Sequence, residues 1–90
     1  MKQFHLIFKG KVQGVGFRYF VQTLALENNV TGWVRNKADG TVECIAVAST
    51  ESLHTFLEKI KKGTRFAKVQ HIEITESEPK ELFSNFKVMY

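Results

Sequence analysis

The sequence predicts an α+β domain in which two helices lie on one face of an antiparallel β-sheet. Three observations lead to this prediction: apolar residues alternate with polar ones in several short segments, they recur at helical spacing in two others, and turn-forming residues separate the segments. At 90 residues the chain is long enough for one hydrophobic core and too short for two. We therefore expect a single domain over residues 1–90.

The first third of the chain predicts a strand followed by a helix. Apolar and polar residues alternate over residues 4–8, as expected for a strand with one buried face. From Phe17 onward apolar residues recur at helical spacing, which predicts a helix with one buried stripe. Asn28 and Asn29 should end this helix, because asparagine tolerates the left-handed conformation found at helix C-termini.

The middle of the chain predicts a β-hairpin. Residues 31–35 and 41–48 are rich in β-branched and other apolar residues, which favour strands. Asp39 and Gly40 lie between these segments and are a typical turn signal. The two segments should therefore pair with each other.

A second helix and two strands complete the predicted order. Ser49 or Thr50 can cap a helix that Gly63 ends. Residues 69–75 alternate again, and residues 83–90 can form a last strand. The order strand, helix, strand, strand, helix, strand, with one further strand at the end, is the split βαβ or ferredoxin-like arrangement.

Composition indicates a globular protein, and we expect it in the cytoplasm. Apolar residues make up 43% of the chain, and no apolar run approaches the roughly 20 residues needed to span a bilayer. Cys44 is the only cysteine, which excludes an internal disulfide; we interpret it as a small buried residue of a strand. The net charge of +4 favours anionic partners without identifying one.

A loop between the first strand and the first helix predicts a phosphate site. We call it the glycine loop, and it consists of Gln13, Gly14, Val15, Gly16, Phe17 and Arg18. Its two glycines allow the backbone to aim consecutive N–H groups at one anion, at the N-terminus of the following helix. Arg18 adds a planar guanidinium that suits two oxygens of one phosphate.

The glycine loop is not a familiar nucleotide motif. The Gly-x4-Gly-Lys-Ser/Thr string of a P-loop is absent from the sequence. Tyr19 occupies the position at which a dinucleotide fingerprint has its third glycine. We therefore expect the loop to bind one small phosphate group.

Two motifs and the turn that follows them closely resemble the acylphosphatase family. They are Lys11-Val12-Gln13-Gly14-Val15-Gly16-Phe17-Arg18 and Gly32-Trp33-Val34-Arg35-Asn36, followed by Asp39-Gly40 and Val42-Glu43. The resemblance extends over nearly the whole chain. It departs from the family pattern at Asn29, where a glycine is common, and over residues 63–67, which lack prolines often found there.

The resemblance implies hydrolysis of the mixed anhydride between a carboxylic acid and phosphate. Arg18 and the N–H groups of the glycine loop would hold the phosphoryl group, and Asn36 would orient the attacking water. Inorganic phosphate would be both product and competitive inhibitor. Arg35 alternates with Asn36 along its strand, so its side chain should face away from this site.

The residue inventory agrees with an activated substrate and with the absence of a cofactor. There is no Ser/His/Asp or Cys/His arrangement and no obvious general acid. An acyl phosphate expels a carboxylate whose conjugate acid has a pKa near ~4, so this leaving group needs no proton. His5, His54 and His71 have no metal-ligand spacing, and we expect neither a metal nor another cofactor.

Two other functions are compatible with the predicted fold. RNA-recognition domains share the element order but read bases with aromatic residues on central strands, and residues 41–48 contain none. A regulatory domain that senses a small anion without turnover stays open as the alternative. We expect a monomer that acts on a small-molecule acyl phosphate and binds neither nucleic acid nor membranes.

Overall fold

Five strands and two helices follow the predicted order along the chain. The computed structural model describes residues 1–90. Its elements are β1 (Lys2–Lys11), α1 (Phe17–Glu27), β2 (Thr31–Asn36), β3 (Val42–Ala48), α2 (Thr50–Lys61), β4 (Lys68–Ser77) and β5 (Phe86–Met89). The predicted arrangement is confirmed, although β4 is longer than predicted and β5 is shorter.

The sheet has the strand order β4-β1-β3-β2-β5, and its last strand corrects the sequence prediction. Four strands pair antiparallel, as predicted, but β5 pairs parallel to β2, with Val34 opposite Val88. The reason lies in the preceding connection. Strand β4 ends at the edge of the sheet where β2 begins, so residues 78–85 return the chain in the direction of β2. The sheet is therefore mixed.

A core of 20 buried residues lies between the sheet and the two helices. The ring of Phe8 on β1 meets the ring of Phe17 on α1 edge to face, with 5.2 Å between centroids. Val12, between these two elements, is also buried. These contacts fix both ends of the glycine loop against the core.

The residues that the sequence predicts as helix caps and breakers lie at the helix ends. Asn28 caps the C-terminus of α1, and Asn29 follows in the left-handed conformation with φ of 56°. Ser49 caps α2, its hydroxyl accepting a hydrogen bond of 3.1 Å from the backbone N–H of Ser52. Gly63, with φ of 66°, follows the end of α2.

Gly32 allows β2 and β3 to approach each other closely. Its φ is 136°, and a Cβ at this position would overlap the carbonyl oxygen of Ile45. The glycine of the second motif therefore has a structural role in the sheet.

Cys44 is fully buried in β3 and free, which confirms its interpretation as a core residue. Burial raises the pKa of its thiol well above the ordinary value. Neither helix combines the length and the apolar character needed to cross a membrane.

Candidate active site

Three strand ends meet at one edge of the sheet. Strands β1, β2 and β5 run in the same direction, as their pairings show, so their carboxyl ends lie together. The glycine loop follows β1, Asn36 is the last residue of β2, and Met89 is the last residue of β5. The topology therefore brings the residues of both sequence motifs to a common edge.

Both glycines of the loop adopt a conformation that other residues rarely take. Gly14 has φ of 73° and Gly16 has φ of 75°. A Cβ at either position would meet no atom within 4 Å, so backbone conformation, not crowding, requires glycine here. The same open space leaves the loop backbone accessible to a small ligand.

The N-terminus of α1 begins directly at this loop. Gly16 is the capping residue and supplies no side chain to the first N–H groups of the helix. No acidic residue lies in the first turn of α1. These N–H groups therefore carry the partial positive charge that favours an anion.

Gln13 attaches the glycine loop to the β2–β3 hairpin. Its half-buried side-chain Nε2 donates to the carbonyl oxygens of Lys37 and Thr41, each at 2.8 Å. Lys37 directly follows Asn36 in the chain. The loop and the predicted water-binding residue are thus held to the same turn.

The turn of the hairpin has the chemistry that the sequence predicts. Gly40 has φ of 91°, and the carboxylate of Asp39 accepts hydrogen bonds from the backbone N–H and the hydroxyl of Thr41. These bonds hold the pKa of Asp39 below its ordinary value, the hydroxyl of Thr41 having the largest effect. The turn beside Asn36 is therefore well ordered by its own contacts.

Asn36 lies on the helix-covered face of β2 and is exposed at the end of the strand. It pairs with Val42 and shares a face with buried Val34. Its amide is thus available to a ligand at the edge where the glycine loop lies.

Arg18 lies in the first turn of α1, as predicted, and contacts two residues that the sequence analysis missed. Its Nη1 donates to the carbonyl oxygen of Met89 at 2.8 Å. Its guanidinium lies over the ring of Tyr90, 4.6 Å from the centroid. These partners are 71 and 72 residues away in sequence, so no local pattern could have identified them.

Arg35 lies on the opposite face of the sheet from Asn36, as the strand alternation predicts. Its Nε donates to Glu43 at 2.7 Å, and Glu43 also contacts His5 at 2.7 Å. Burial alone would raise the pKa of Glu43, but its hydrogen bonds to His5 and Arg35 hold it below the ordinary value. The guanidinium also packs over the ring of Trp33, 5.2 Å from its centroid.

The three histidines lie apart from one another in structure as in sequence. His5 contacts Glu43, the ring of His54 packs against Phe4, and His71 lies exposed on β4. No group of three or more His, Cys, Asp or Glu side chains is placed to hold a metal ion.

The fold and its glycine loop define a two-layer ferredoxin-like domain with an arginine and an asparagine at one edge of the sheet. Residues 4–88 match the family model described as Acylphosphatase. The chain belongs to the acylphosphatase family.

Curated and solved relatives match over whole chains. An acylphosphatase of Bacillus licheniformis is 48% identical over 90 residues, which cover both chains completely. The crystal structure of acylphosphatase from Bacillus subtilis superposes with a TM-score of 0.96 at 44% identity, with all of both chains covered. The structure of an acylphosphatase from Coxiella burnetii gives 0.90 at 35% identity, covering 98% of this chain and 92% of that one.

Proposed function

We propose that this protein hydrolyses acyl phosphates to a carboxylate and inorganic phosphate, with water attacking the phosphorus and without a metal. The reaction class follows from membership of the acylphosphatase family. One observation supports the assignment of residues: the glycine loop, Arg18 and Asn36 lie at a single edge of the sheet. Each has a separate role in the proposed reaction.

The glycine loop and Arg18 hold the phosphoryl group. Phosphoryl transfer places charge on three equatorial oxygens, and stabilising that charge is most of what the protein must do. The N–H groups of the glycine loop, at the N-terminus of α1, and the guanidinium of Arg18 supply donors that are fixed before the reaction begins. The backbone at Gly14 and Gly16 is open enough for a phosphate to approach.

Asn36 orients the attacking water. Its side-chain amide has both donor and acceptor atoms and can therefore hold a water in one orientation. Its position at the end of β2, beside the turn that Gln13 contacts, keeps it close to the glycine loop.

The leaving carboxylate needs no general acid. Its conjugate acid has a pKa near ~4, so it departs as an anion at neutral pH. A phosphate monoester would expel a far more basic alkoxide. The proposed site is therefore suited to an acyl phosphate and not to a monoester.

We also propose a single-domain monomer in the cytoplasm that inorganic phosphate inhibits competitively. Phosphate carries the same oxygens as the phosphoryl group and would bind the same donors. The free, buried thiol of Cys44 fits a reducing compartment. Sedimentation analysis, cell fractionation and inhibition kinetics test these points separately.

Turnover of acetyl phosphate by the purified protein tests the proposed function. Wild type should release phosphate, and Arg18→Ala should lose at least about 100-fold in kcat/KM. Arg18→Lys should recover little, because a point charge does not replace the planar donor array of guanidinium.

Arg35→Ala is the matched control, since it removes the same side chain from the opposite face of the sheet. It should retain most of the wild-type turnover. Phosphate binding without any turnover by wild type would favour an anion-sensing domain instead. Full activity of Arg18→Lys would overturn the proposed geometry of the site.

A further inference from the structure

Two tyrosines extend the contacts of Arg18 beyond the glycine loop. Tyr19 follows Arg18 in the first turn of α1, and Tyr90 follows the end of β5. The ring of Tyr90 lies against the Arg18 guanidinium, 4.6 Å from centroid to Cζ. The hydroxyls of the two tyrosines are 2.7 Å apart and hydrogen-bonded. The hydroxyl of Tyr19 thereby contacts the same ring that packs against Arg18.

These tyrosines are exposed and contribute little to the core. Tyr19 is 58% exposed and Tyr90 is 90% exposed. Neither belongs to the buried cluster between the sheet and the helices. A role in global stability is therefore small, and their contacts converge on one side chain, Arg18.

The hydrogen bond between the two hydroxyls affects the titration of Tyr90. The hydrogen bond with Tyr19 raises the pKa of Tyr90 above its ordinary value, with desolvation acting in the same direction. The hydroxyl of Tyr90 is thus protonated at neutral pH and can donate to the hydroxyl of Tyr19.

We propose that Tyr90 and Tyr19 are positioning residues for Arg18, an inference that rests on the proposed function. The ring of Tyr90 restricts the plane of the guanidinium, and Tyr19 fixes the ring. The carbonyl of Met89 occupies Nη1, while Nε and Nη2 make no hydrogen bond within the chain. The restricted guanidinium presents these donors to a phosphoryl group in one orientation.

Three variants separate the ring from the hydroxyls. Tyr90→Leu removes the ring, Tyr90→Phe keeps the ring and removes its hydroxyl, and Tyr19→Phe removes the other hydroxyl. We expect Tyr90→Leu to lower kcat/KM for acetyl phosphate about tenfold, because small displacements of a positioned group are costly in the transition state. Each phenylalanine variant should lose about two- to threefold, a loss of the size expected for one exposed hydrogen bond.

The double variant Tyr19→Phe/Tyr90→Phe tests the hydroxyl pair directly. Its loss should equal that of either single variant, because each change breaks the same hydrogen bond. The melting temperatures of all variants should stay close to that of wild type. If the tyrosines had a purely structural role, a loss of activity would instead be accompanied by a lower melting temperature. The Kd for inorganic phosphate should rise in Tyr90→Leu and stay at the wild-type value in Tyr90→Phe.

Arg18→Ala in the same assay distinguishes failure of this inference from failure of the proposed function. If Arg18→Ala loses turnover while Tyr90→Leu keeps wild-type kcat/KM and phosphate affinity, the positioning role is wrong and the proposed function stands. Additive losses in the double variant would also overturn it. If Arg18→Ala itself remains active, the proposed site is wrong and the tyrosines have no role through it.

Discussion

The side-chain amide of Gln13 donates to the carbonyl oxygen of Thr41 at 2.8 Å, while its second hydrogen bonds the carbonyl of Lys37 at the same distance. One Nε2 atom thereby joins Gln13 to two residues that lie 24 and 28 positions further along the chain. The glycine loop and the hairpin turn beside Asn36 consequently share one set of contacts. A displacement of the glycine loop should therefore also displace the hairpin turn, and the reverse should hold as well.

Gln13→Glu should therefore reduce both stability and activity. A carboxylate cannot donate, so two carbonyl oxygens lose their partner and face a negative charge, at a cost of about 1–3 kcal/mol. For a domain of this size the melting temperature falls by roughly 4–8 °C per kcal/mol. Gln22→Glu is the matched control, since Gln22 makes one longer bond of 3.2 Å to Phe86. Full turnover in Gln13→Glu would show that the link does not position the loop.

Asn36→Ala should lower kcat by about 100-fold, the usual cost of losing one oriented polar group in an active site. Its affinity for inorganic phosphate should change much less, because the proposed contact is with water and not with the anion. Steady-state kinetics and phosphate inhibition measure the two effects separately. Equal losses in kcat and in phosphate affinity would place Asn36 in the phosphate site instead.

Inorganic phosphate should stabilise the folded protein. Binding to the native state alone contributes about 1.4 kcal/mol at ten times Kd, which corresponds to a rise of several degrees in melting temperature. Sulfate should act similarly, but it also stabilises proteins by exclusion from their surfaces. Arg18→Ala keeps that general effect and should lose the specific one. The same melting shift in both proteins would remove the glycine loop from the mechanism.

Turnover should survive extensive chelation. The proposed site stabilises charge with a guanidinium and backbone N–H groups, so no step needs a metal. Dialysis against EDTA followed by the acetyl phosphate assay measures this. A loss of activity that added Mg²⁺ or Zn²⁺ restores would contradict the mechanism.

Glu43→Gln should destabilise the protein at neutral pH, and the difference from wild type should shrink in acid. The folded-state pKa of Glu43 is lowered, so its contribution to stability is present above the unfolded pKa of about 4.3 and is lost as pH falls through the folded value. Melting temperatures from about pH 7 to about pH 3 measure the effect. Glu27→Gln, which removes a carboxylate that makes no ion pair, is the control. A constant difference across this range would show that charge is not involved.

The elements that the sequence predicts well are those with local causes. Ser49 caps α2 with its own hydroxyl, which bonds a residue three positions away. Asn29 takes the left-handed conformation because asparagine tolerates it. The hairpin turn at Gly40 is equally local. The direction of β5 is not, because it depends on where β4 ends in the sheet. No residue within 83–90 carries that information.

The candidate site divides in the same way. The glycine loop and its arginine are contiguous, so composition and spacing alone predict a phosphate site there. The contact of Arg18 with Tyr90 and the contact of Gln13 with Thr41 arise only when distant strands pair. Sequence patterns predict the groups proposed to bind phosphate, whereas only the tertiary structure shows the residues that contact those groups.

The bond between Arg18 and the carbonyl of Met89 also has a consequence for folding. It joins residues 71 positions apart, and contacts of such long range form slowly because the entropy of closing the intervening chain must be overcome first. A chain that has formed α1 but not yet added β5 holds its arginine on a helix without this partner. Recovery of activity during refolding should consequently follow the docking of β5 and lag behind the formation of helix.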